Sequence, residues 1–154
     1  EKGFLENFFV SSADYKFYFS PNKLKSFLDK FNPDIVIFTY PWNSYAFEDI
    51  SNYGFVNSNK DGLVSNIIEK PKKTELRKID INSLLIGTFW FKSSLYINKM
   101  LDGYNLQNEL FIAKTIDKFL NEFRVFKFEV DNWLCLGTPK EYQLAEYWLD
   151  YFKE

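Results

Sequence analysis

The side chains best suited to chemistry in this sequence stand where predicted strands end. Asp14 follows the short apolar run Asn7 to Ser11, which is typical of a buried strand. In open α/β sheets, ligands bind in the crevice at the C-terminal ends of strands, and a carboxylate there can hold Mg²⁺. An Asx turn that closes the strand explains Asp14 equally well.

Glu69 and Lys70 end a second predicted strand, directly before Pro71. The carboxylate can accept hydrogen bonds from sugar hydroxyls, and the ammonium can pair with a phosphate. A competing interpretation is a solvated strand end that leads into the charged connection from Lys72 to Lys78. The residue types alone favour this second interpretation.

Two glycines and one cysteine complete the set of candidates. Gly54 and Gly87 lie inside strand patterns, where glycine costs stability and marks either a bulge or the close approach of a ligand. Cys135 follows Trp133 and Leu134, and this apolar setting should raise the pKa of its thiol. An inert core thiol is therefore expected rather than a nucleophile.

The composition excludes several classes of function. With no histidine, the sequence has no Ser-His or Cys-His nucleophile pair and no His-ligated zinc. Its six glycines form neither a GxGxxG nor a Walker motif. A net charge of −2 provides no field that attracts nucleic acid or an anionic membrane, and no apolar run is long enough to span one. These features favour a cytoplasmic protein with no nucleic-acid or membrane partner.

The apolar periodicity predicts one mixed α/β domain over residues 1–154, with helices on both faces of the sheet. Ser20 and Pro21 begin a helix, and the unbroken run Ile35 to Phe38 is typical of a parallel strand. Together with the first strand they predict a βαβ unit. The first residue is Glu1 rather than Met, so we expect a piece of a longer protein.

The second half of the chain also alternates between predicted strands and predicted helices. It predicts a hairpin around Asn57 to Gly62 and a strand from Ser83 to Phe91. One helix is predicted to begin at Ser93, and another to span Glu109 to Leu120. Two further strands, Val125 to Val130 and Trp133 to Leu136, and a C-terminal helix complete the pattern. Thr138 to Glu141 is a capping box at the start of that helix. Its predicted buried stripe is Ala145, Trp148, Leu149 and Phe152.

An ordered set of short motifs covers most of the chain, from about Asn7 to Tyr147. The motifs are Tyr53-Gly54-Phe55-Val56, Asp61-Gly62-Leu63-Val64, Ile68-Glu69-Lys70-Pro71, Ile86-Gly87-Thr88-Phe89, Asn108-Glu109-Leu110-Phe111-Ile112 and Leu136-Gly137-Thr138-Pro139. In order and spacing they resemble the C-terminal part of the sugar-1-phosphate nucleotidyltransferases. The glycine-rich, basic nucleotide-binding signature of that family has no counterpart here.

The resemblance implies a Rossmann-like fold of the glycosyltransferase-A type, here incomplete, with sugar-1-phosphate and nucleoside triphosphate as partners. By position, Glu69 resembles the ligand of the sugar hydroxyls and Lys70 the catalytic lysine that faces the sugar phosphate. Gly54 and Gly87 resemble the glycines that let the backbone approach the sugar. Asp14 resembles the first Mg²⁺-binding aspartate. The nucleotide, the sugar and the oligomeric state stay open, a homo-oligomer included.

One position departs from the family pattern. Cys135 stands where many members have an aspartate as the second Mg²⁺ ligand, and a neutral thiol is a poor ligand for this hard cation. Either one carboxylate and substrate oxygens hold the metal, or the catalytic site is lost. Divergent branches associated with capsule or lipopolysaccharide sugars also lack this aspartate.

Two main hypotheses follow. In the first, the chain is the sugar-binding half of an enzyme that makes an activated sugar for surface polysaccharide, and it does not turn over alone. In the second, it is a non-catalytic domain for sugar-phosphate sensing or for assembly, which the thiol at Cys135 favours. A carbohydrate-binding module that uses exposed aromatic residues is a third, weaker reading.

Overall fold

The computed structural model describes residues 5–41, 53–71, 83–102 and 111–151. The elements are β1 (Glu6–Ser11), β2 (Tyr15–Tyr18), α1 (Pro21–Phe31), β3 (Ile35–Pro41), β4 (Gly54–Ser58), β5 (Val64–Glu69), β6 (Ser83–Ser93), α2 (Ser94–Leu101), α3 (Ile112–Asp117), β7 (Val125–Glu129), β8 (Asn132–Cys135) and α4 (Pro139–Tyr151). The charged connection from Lys72 to Lys78 and the predicted helix start at Glu109 lie outside the described residues.

The main sheet is mixed, as predicted. Its strand order is β5-β4-β6-β3-β7, and β1 pairs with β6 beside this path. Strands β3 and β7 are parallel, whereas the other described pairs of this sheet are antiparallel. Strands β2 and β8 form a separate antiparallel sheet of two strands. The run Ile35 to Phe38 is fully buried, as expected for a strand covered on both faces.

Helices cover both faces of the sheet, which confirms the predicted layers. On one face, Met100 of α2 and Ile116 of α3 pack in a core with Ile35 and Ile37. On the other, Leu24 of α1 packs with Val36 and Phe38. Because successive residues of β3 point to opposite faces, this one strand contributes to both cores.

Strand β1 differs from the prediction in two ways. It is partly exposed rather than buried, with Phe9 47% exposed, because it pairs with β6 on one side and with no other described strand. It is also not adjacent to β3. Strand β6 has 11 residues and lies between β1 and β3, antiparallel to each. The predicted βαβ unit therefore has another strand between its two parallel strands.

The helix starts agree with their capping signals. The N–H of Lys23 donates to the hydroxyl of Ser20 at 3.4 Å, and that of Leu95 donates to Ser93 at 3.3 Å. The helix predicted over Glu109 to Leu120 is shorter, since α3 begins at Ile112, after the extended residue Phe111, and ends at Asp117. After it, Phe119 N–H donates to the carbonyl of Ile116, three residues back, so the chain tightens into turns.

The buried stripe predicted for the C-terminal helix is wrong at two of its four positions. Ala145 of α4 is buried, but Trp148 is 43% exposed and Leu149 is 42% exposed. Phe152 lies outside the described residues. Among the described elements, α4 packs mainly against the four residues of β8, which are too few to cover a helix of 13 residues.

Candidate functional site

The structure brings every predicted site residue to the same cavity. It has a volume of about 450 Å³ and opens at the turn between β1 and β2, the start of β4, the end of β5 and the start of α4. Its lining includes all the residues predicted from the sequence, namely Asp14, Gly54, Glu69, Lys70 and Gly87. Cys135 also lines it.

Asp14 lies in the turn between β1 and β2, where it joins two loops. Its carboxylate accepts a hydrogen bond from the hydroxyl of Ser12, and its backbone carbonyl accepts one from Leu136 N–H at 2.8 Å. A Cβ atom at Gly137 would lie 3.2 Å from Oδ2 of Asp14. The glycine after β8 therefore lets the two loops approach closely.

Gly87 occupies a bulge in β6. The register between β3 and β6 shifts opposite this residue, and Gly87 has φ +75°, a conformation that favours glycine. A Cβ atom there would lie 3.1 Å from the hydroxyl of Tyr15. That hydroxyl accepts from Ser12 N–H at 3.1 Å and lies 3.0 Å from Oγ1 of Thr88. Tyr15 therefore covers Gly87 at one end of the cavity.

Gly54, Glu69 and Lys70 form another part of the cavity lining. Gly54 pairs with Glu69 across the hairpin and with Leu85 of β6. Lys70 directly follows β5, is exposed and has φ +45°. Its ammonium lies 5.5 Å from the centre of the Phe111 ring, a cation–π contact.

The thiol of Cys135 is protonated at neutral pH. Its pKa is raised to about 11, mainly by burial and further by the carboxylates of Glu141 and Asp14. This agrees with the inert thiol expected from the sequence. The thiol nevertheless lines the cavity and is only partly buried.

Glu141 is the main site residue that sequence reasoning missed. Burial opposes its ionisation, but hydrogen bonds from Tyr53, Thr138 and Cys135 outweigh this and lower the pKa of the carboxyl. The predicted capping motif is present, since Glu141 N–H donates to the hydroxyl of Thr138 at 3.2 Å. Capping already explained Glu141, so nothing in the sequence connected it with Tyr53.

The described side chains do not by themselves fit a Mg²⁺ site. Among these residues, no three His, Cys, Asp or Glu side chains are grouped so that they could hold a metal. Mg²⁺ requires octahedral oxygen coordination. Asp14 offers one carboxylate, Cys135 offers a protonated thiol, and the oxygens of Glu141 accept from Tyr53 and Thr138.

A comparison with family models identifies the family of the chain. The model described as "Nucleotidyl transferase" matches residues 3–150. The chain belongs to the nucleotidyl transferase family. The resemblance read from the ordered motifs is thus confirmed. No curated protein matches the sequence.

Solved structures related to this nucleotidyl transferase chain share its fold. A putative glucose-1-phosphate thymidylyltransferase from Bacillus anthracis matches with a TM-score of 0.69 and 15% identity, over 92% of this chain and 54% of its own. A UDP-glucose pyrophosphorylase matches with a TM-score of 0.70 and 18% identity, over 97% of this chain and 57% of its own. An inositol-1-phosphate CTP transferase from T. maritima matches with a TM-score of 0.64 and 18% identity, over 92% of this chain and 54% of its own.

The nucleotidyl transferase chain therefore spans about half the length of these structures. Its mixed sheet with helices on both faces is the glycosyltransferase-A type fold expected from the resemblance. Within the described residues, no helix has the length and apolar character needed to cross a membrane.

Proposed function

We propose that the chain is the sugar-phosphate-binding part of an enzyme that transfers a nucleotidyl group from a nucleoside triphosphate to a sugar-1-phosphate. The observation that supports this most is the convergence of Asp14, Gly54, Glu69, Lys70 and Gly87 on one cavity. These residues come from four separate stretches of the chain.

The reaction suits the groups present. A phosphate oxygen of the sugar-1-phosphate forms a bond to the α-phosphorus of the triphosphate, and the bond to pyrophosphate breaks. This oxygen is already ionised at neutral pH, so no side chain has to remove a proton. What the protein supplies is alignment of two anions and neutralisation of their charge, and the reaction needs no histidine.

Each cavity residue has a separate part in this proposal. The ammonium of Lys70 pairs with the sugar phosphate, and the carboxylate of Glu69 accepts hydrogen bonds from sugar hydroxyls. Gly54 lets the backbone approach the sugar, whereas Gly87 borders the cavity at a place where the Tyr15 hydroxyl fills the space above its backbone. Asp14 contributes one carboxylate to a Mg²⁺ site that substrate oxygens and further residues would complete.

The products would be pyrophosphate and a nucleotide sugar, which we propose serves as a cytoplasmic precursor of surface polysaccharide. Since the chain spans about half of the related structures, we expect it not to turn over alone. Free nucleoside triphosphate should bind weakly or not at all, because the sequence has no glycine-rich phosphate loop.

Calorimetric titration with a panel of sugar-1-phosphates tests the binding function. We expect one of them to bind and Lys70→Ala to weaken its affinity about tenfold or more. Lys70 is exposed, so the free energy of unfolding should change by less than about 0.5 kcal/mol. Lys25→Ala, at an exposed position on α1, is the matched control. Equal affinities for the parent chain and Lys70→Ala would refute the proposed role of this lysine.

The alternative is a non-catalytic domain that senses sugar phosphates or mediates assembly. It is favoured by the protonated thiol of Cys135 at the position where many family members have a metal-binding aspartate. The two functions differ in the natural full-length protein. Release of pyrophosphate from a triphosphate and the bound sugar-1-phosphate supports the enzyme, whereas binding without release supports the sensor.

A further inference from the structure

A carboxylate and a phenol link two parts of the cavity lining that are far apart in sequence. Glu141 lies in the first turn of α4, and Tyr53 directly precedes β4. The hydroxyl of Tyr53 donates to Oε1 of Glu141, and the hydroxyl of Thr138 donates to Oε2 at 2.8 Å. The start of a helix stabilises a negative charge, so Glu141 is well placed to stay ionised as an acceptor.

The backbone of Tyr53 in turn holds Lys70. The N–H of Lys70 donates to the carbonyl of Tyr53 at 3.1 Å. Lys70 has φ +45°, in the left-handed region that is unfavourable for a non-glycine residue. This backbone hydrogen bond therefore stabilises a backbone conformation that is otherwise unfavourable for Lys70. The same conformation fixes the direction in which the Lys70 side chain leaves the end of β5.

Two further contacts hold Tyr53 and Glu141 in place. The Tyr53 ring lies 6.2 Å from the ring of Trp133, edge to face. The thiol of Cys135 donates to the carboxylate of Glu141 and contributes to its lowered pKa. An aspartate at position 135 would instead place a second negative charge beside Glu141. A neutral thiol avoids this repulsion and is compatible with the contact between Glu141 and Tyr53.

We propose that Glu141 is a positioning residue that acts through Tyr53 to hold Lys70 at the cavity. Glu141 need not touch the sugar phosphate, since its carboxylate is directed to Tyr53 and Thr138. The inference rests on the proposed function, because it gives Lys70 the task of binding the phosphate. It predicts that Tyr53 and Glu141 affect phosphate recognition but not recognition of the sugar itself.

The first test needs no ligand. Amide hydrogen exchange at Lys70 should become about tenfold faster in Tyr53→Phe and in Glu141→Ala, because the segment that accepts its N–H is released. Exchange at Ile67 in the buried part of β5 should not change. Glu141→Gln keeps an acceptor for Tyr53 and should retain most of the protection. Unchanged exchange at Lys70 in both Tyr53→Phe and Glu141→Ala would overturn the proposal.

The second test is a double-mutant cycle in which glucose-1-phosphate and glucose are the probes. Tyr53→Phe should reduce the preference for the phosphorylated sugar about tenfold, and should have no such effect in the Lys70→Ala background. Tyr147→Phe, at an exposed tyrosine of α4, is the matched control. Equal effects of Tyr53→Phe in both backgrounds would show that Tyr53 does not act through Lys70.

The two tests separate the failure of this inference from that of the proposed function. If exchange at Lys70 rises in the variants but the parent chain binds no sugar phosphate in the panel, the positioning contact stands and the proposed function fails. If the parent chain binds a sugar-1-phosphate and the exchange at Lys70 does not respond, the proposed function stands and the positioning role fails.

Discussion

Among the glycines that line the cavity, Gly87 leaves the least space for a side chain. Its positive φ and its 3.1 Å distance from a hypothetical Cβ to the Tyr15 hydroxyl both exclude a larger residue without rearrangement. Tyr15 is itself held by Ser12 and Thr88. The glycine is therefore required for two separate physical reasons, its backbone conformation and the space above it.

We predict that Gly87→Ala lowers the free energy of unfolding by roughly 1–3 kcal/mol, measured by urea denaturation. Part of this loss comes from the contact with the Tyr15 hydroxyl and part from the strained φ. In a Tyr15→Phe background the same substitution should cost less, because the hydroxyl contact is gone while the strain and the 3.3 Å contact with the ring carbon remain. A loss below about 0.5 kcal/mol in the parent chain would contradict this account.

A second prediction concerns charge at position 135. Cys135→Asp places a carboxylate beside Glu141 and Asp14, so its folded-state pKa should lie above its unfolded value. A carboxyl group whose pKa is raised on folding stabilises the folded state at low pH, and this stabilisation is lost as the pH rises. The free energy of unfolding of Cys135→Asp should therefore fall relative to that of Cys135→Asn between about pH 4 and 7.

Urea denaturation across this pH range measures the difference between the two variants. Parallel pH profiles for Cys135→Asp and Cys135→Asn would mean that the new carboxylate does not sense Glu141 and Asp14. If Mg²⁺ stabilises Cys135→Asp but not Cys135→Asn, the cavity has a place for a second metal-binding carboxylate.

At the scale of elements, Asp34 joins three parts of the fold outside the cavity. It lies between α1 and β3, and its carboxylate accepts from the Tyr96 hydroxyl of α2 at 2.6 Å and from Arg124 N–H before β7 at 2.8 Å. The Lys92 N–H of β6 donates to the backbone carbonyl of Asp34 at 3.0 Å. One loop residue thus connects a helix to two strands of the sheet.

This connection predicts a pH dependence in alkaline solution. The hydrogen bond to Asp34, with burial and the charge of Asp34, raises the pKa of Tyr96 from 10.0 to about 12. The contribution is complete below pH 10 and is lost as pH rises to about 12. Tyr96→Phe should therefore lose less stability than the parent chain over this range, as measured by urea denaturation.

Tyr18→Phe removes an exposed hydroxyl elsewhere and is the control for that experiment. Equal losses of stability between pH 10 and 12 for Tyr96→Phe and the parent chain would show that the contact with Asp34 contributes nothing to folding.

At the scale of the whole molecule, the cavity draws on most of the chain. Its lining runs from Ser12 to Glu141 and includes both sheets and α4. A ligand in this cavity contacts elements that meet only in the folded state. Its binding should therefore be linked to the unfolding of the whole described structure rather than to that of one loop.

We predict that a bound sugar-1-phosphate at about 100 times its Kd raises the free energy of unfolding by about 2.7 kcal/mol. Denaturation with and without the ligand measures the shift. At the same ligand concentration, the free energy of unfolding of Lys70→Ala should rise by about 1.4 kcal/mol or less, because its affinity is about tenfold lower or weaker still. An unchanged unfolding midpoint at a concentration that saturates the parent chain by calorimetry would contradict this linkage.

The sequence by itself determined the features that depend on near neighbours. Ser20, Ser93 and Thr138 cap helices as predicted, because a cap needs only the next three residues. The hairpin turn before Gly62 and the bulge at Gly87 are also determined locally, because both depend on a backbone conformation that glycine adopts readily. Asp14, Glu69 and Lys70 were found because they stand at predicted strand ends, and Gly54 and Gly87 because glycine is unusual inside a strand pattern. All of them except Asp14 also lie in the ordered family motifs.

Tertiary structure decided the features that depend on distant pairing. The apolar periodicity of an element shows which of its faces is apolar but not which other element covers that face. The position of β6 between β1 and β3 and the partial exposure of Trp148 therefore could not be predicted from it. The contact between Tyr53 and Glu141 joins residues 88 positions apart. No local pattern encodes such a contact, because it exists only after the sheet order has brought the start of β4 to the start of α4.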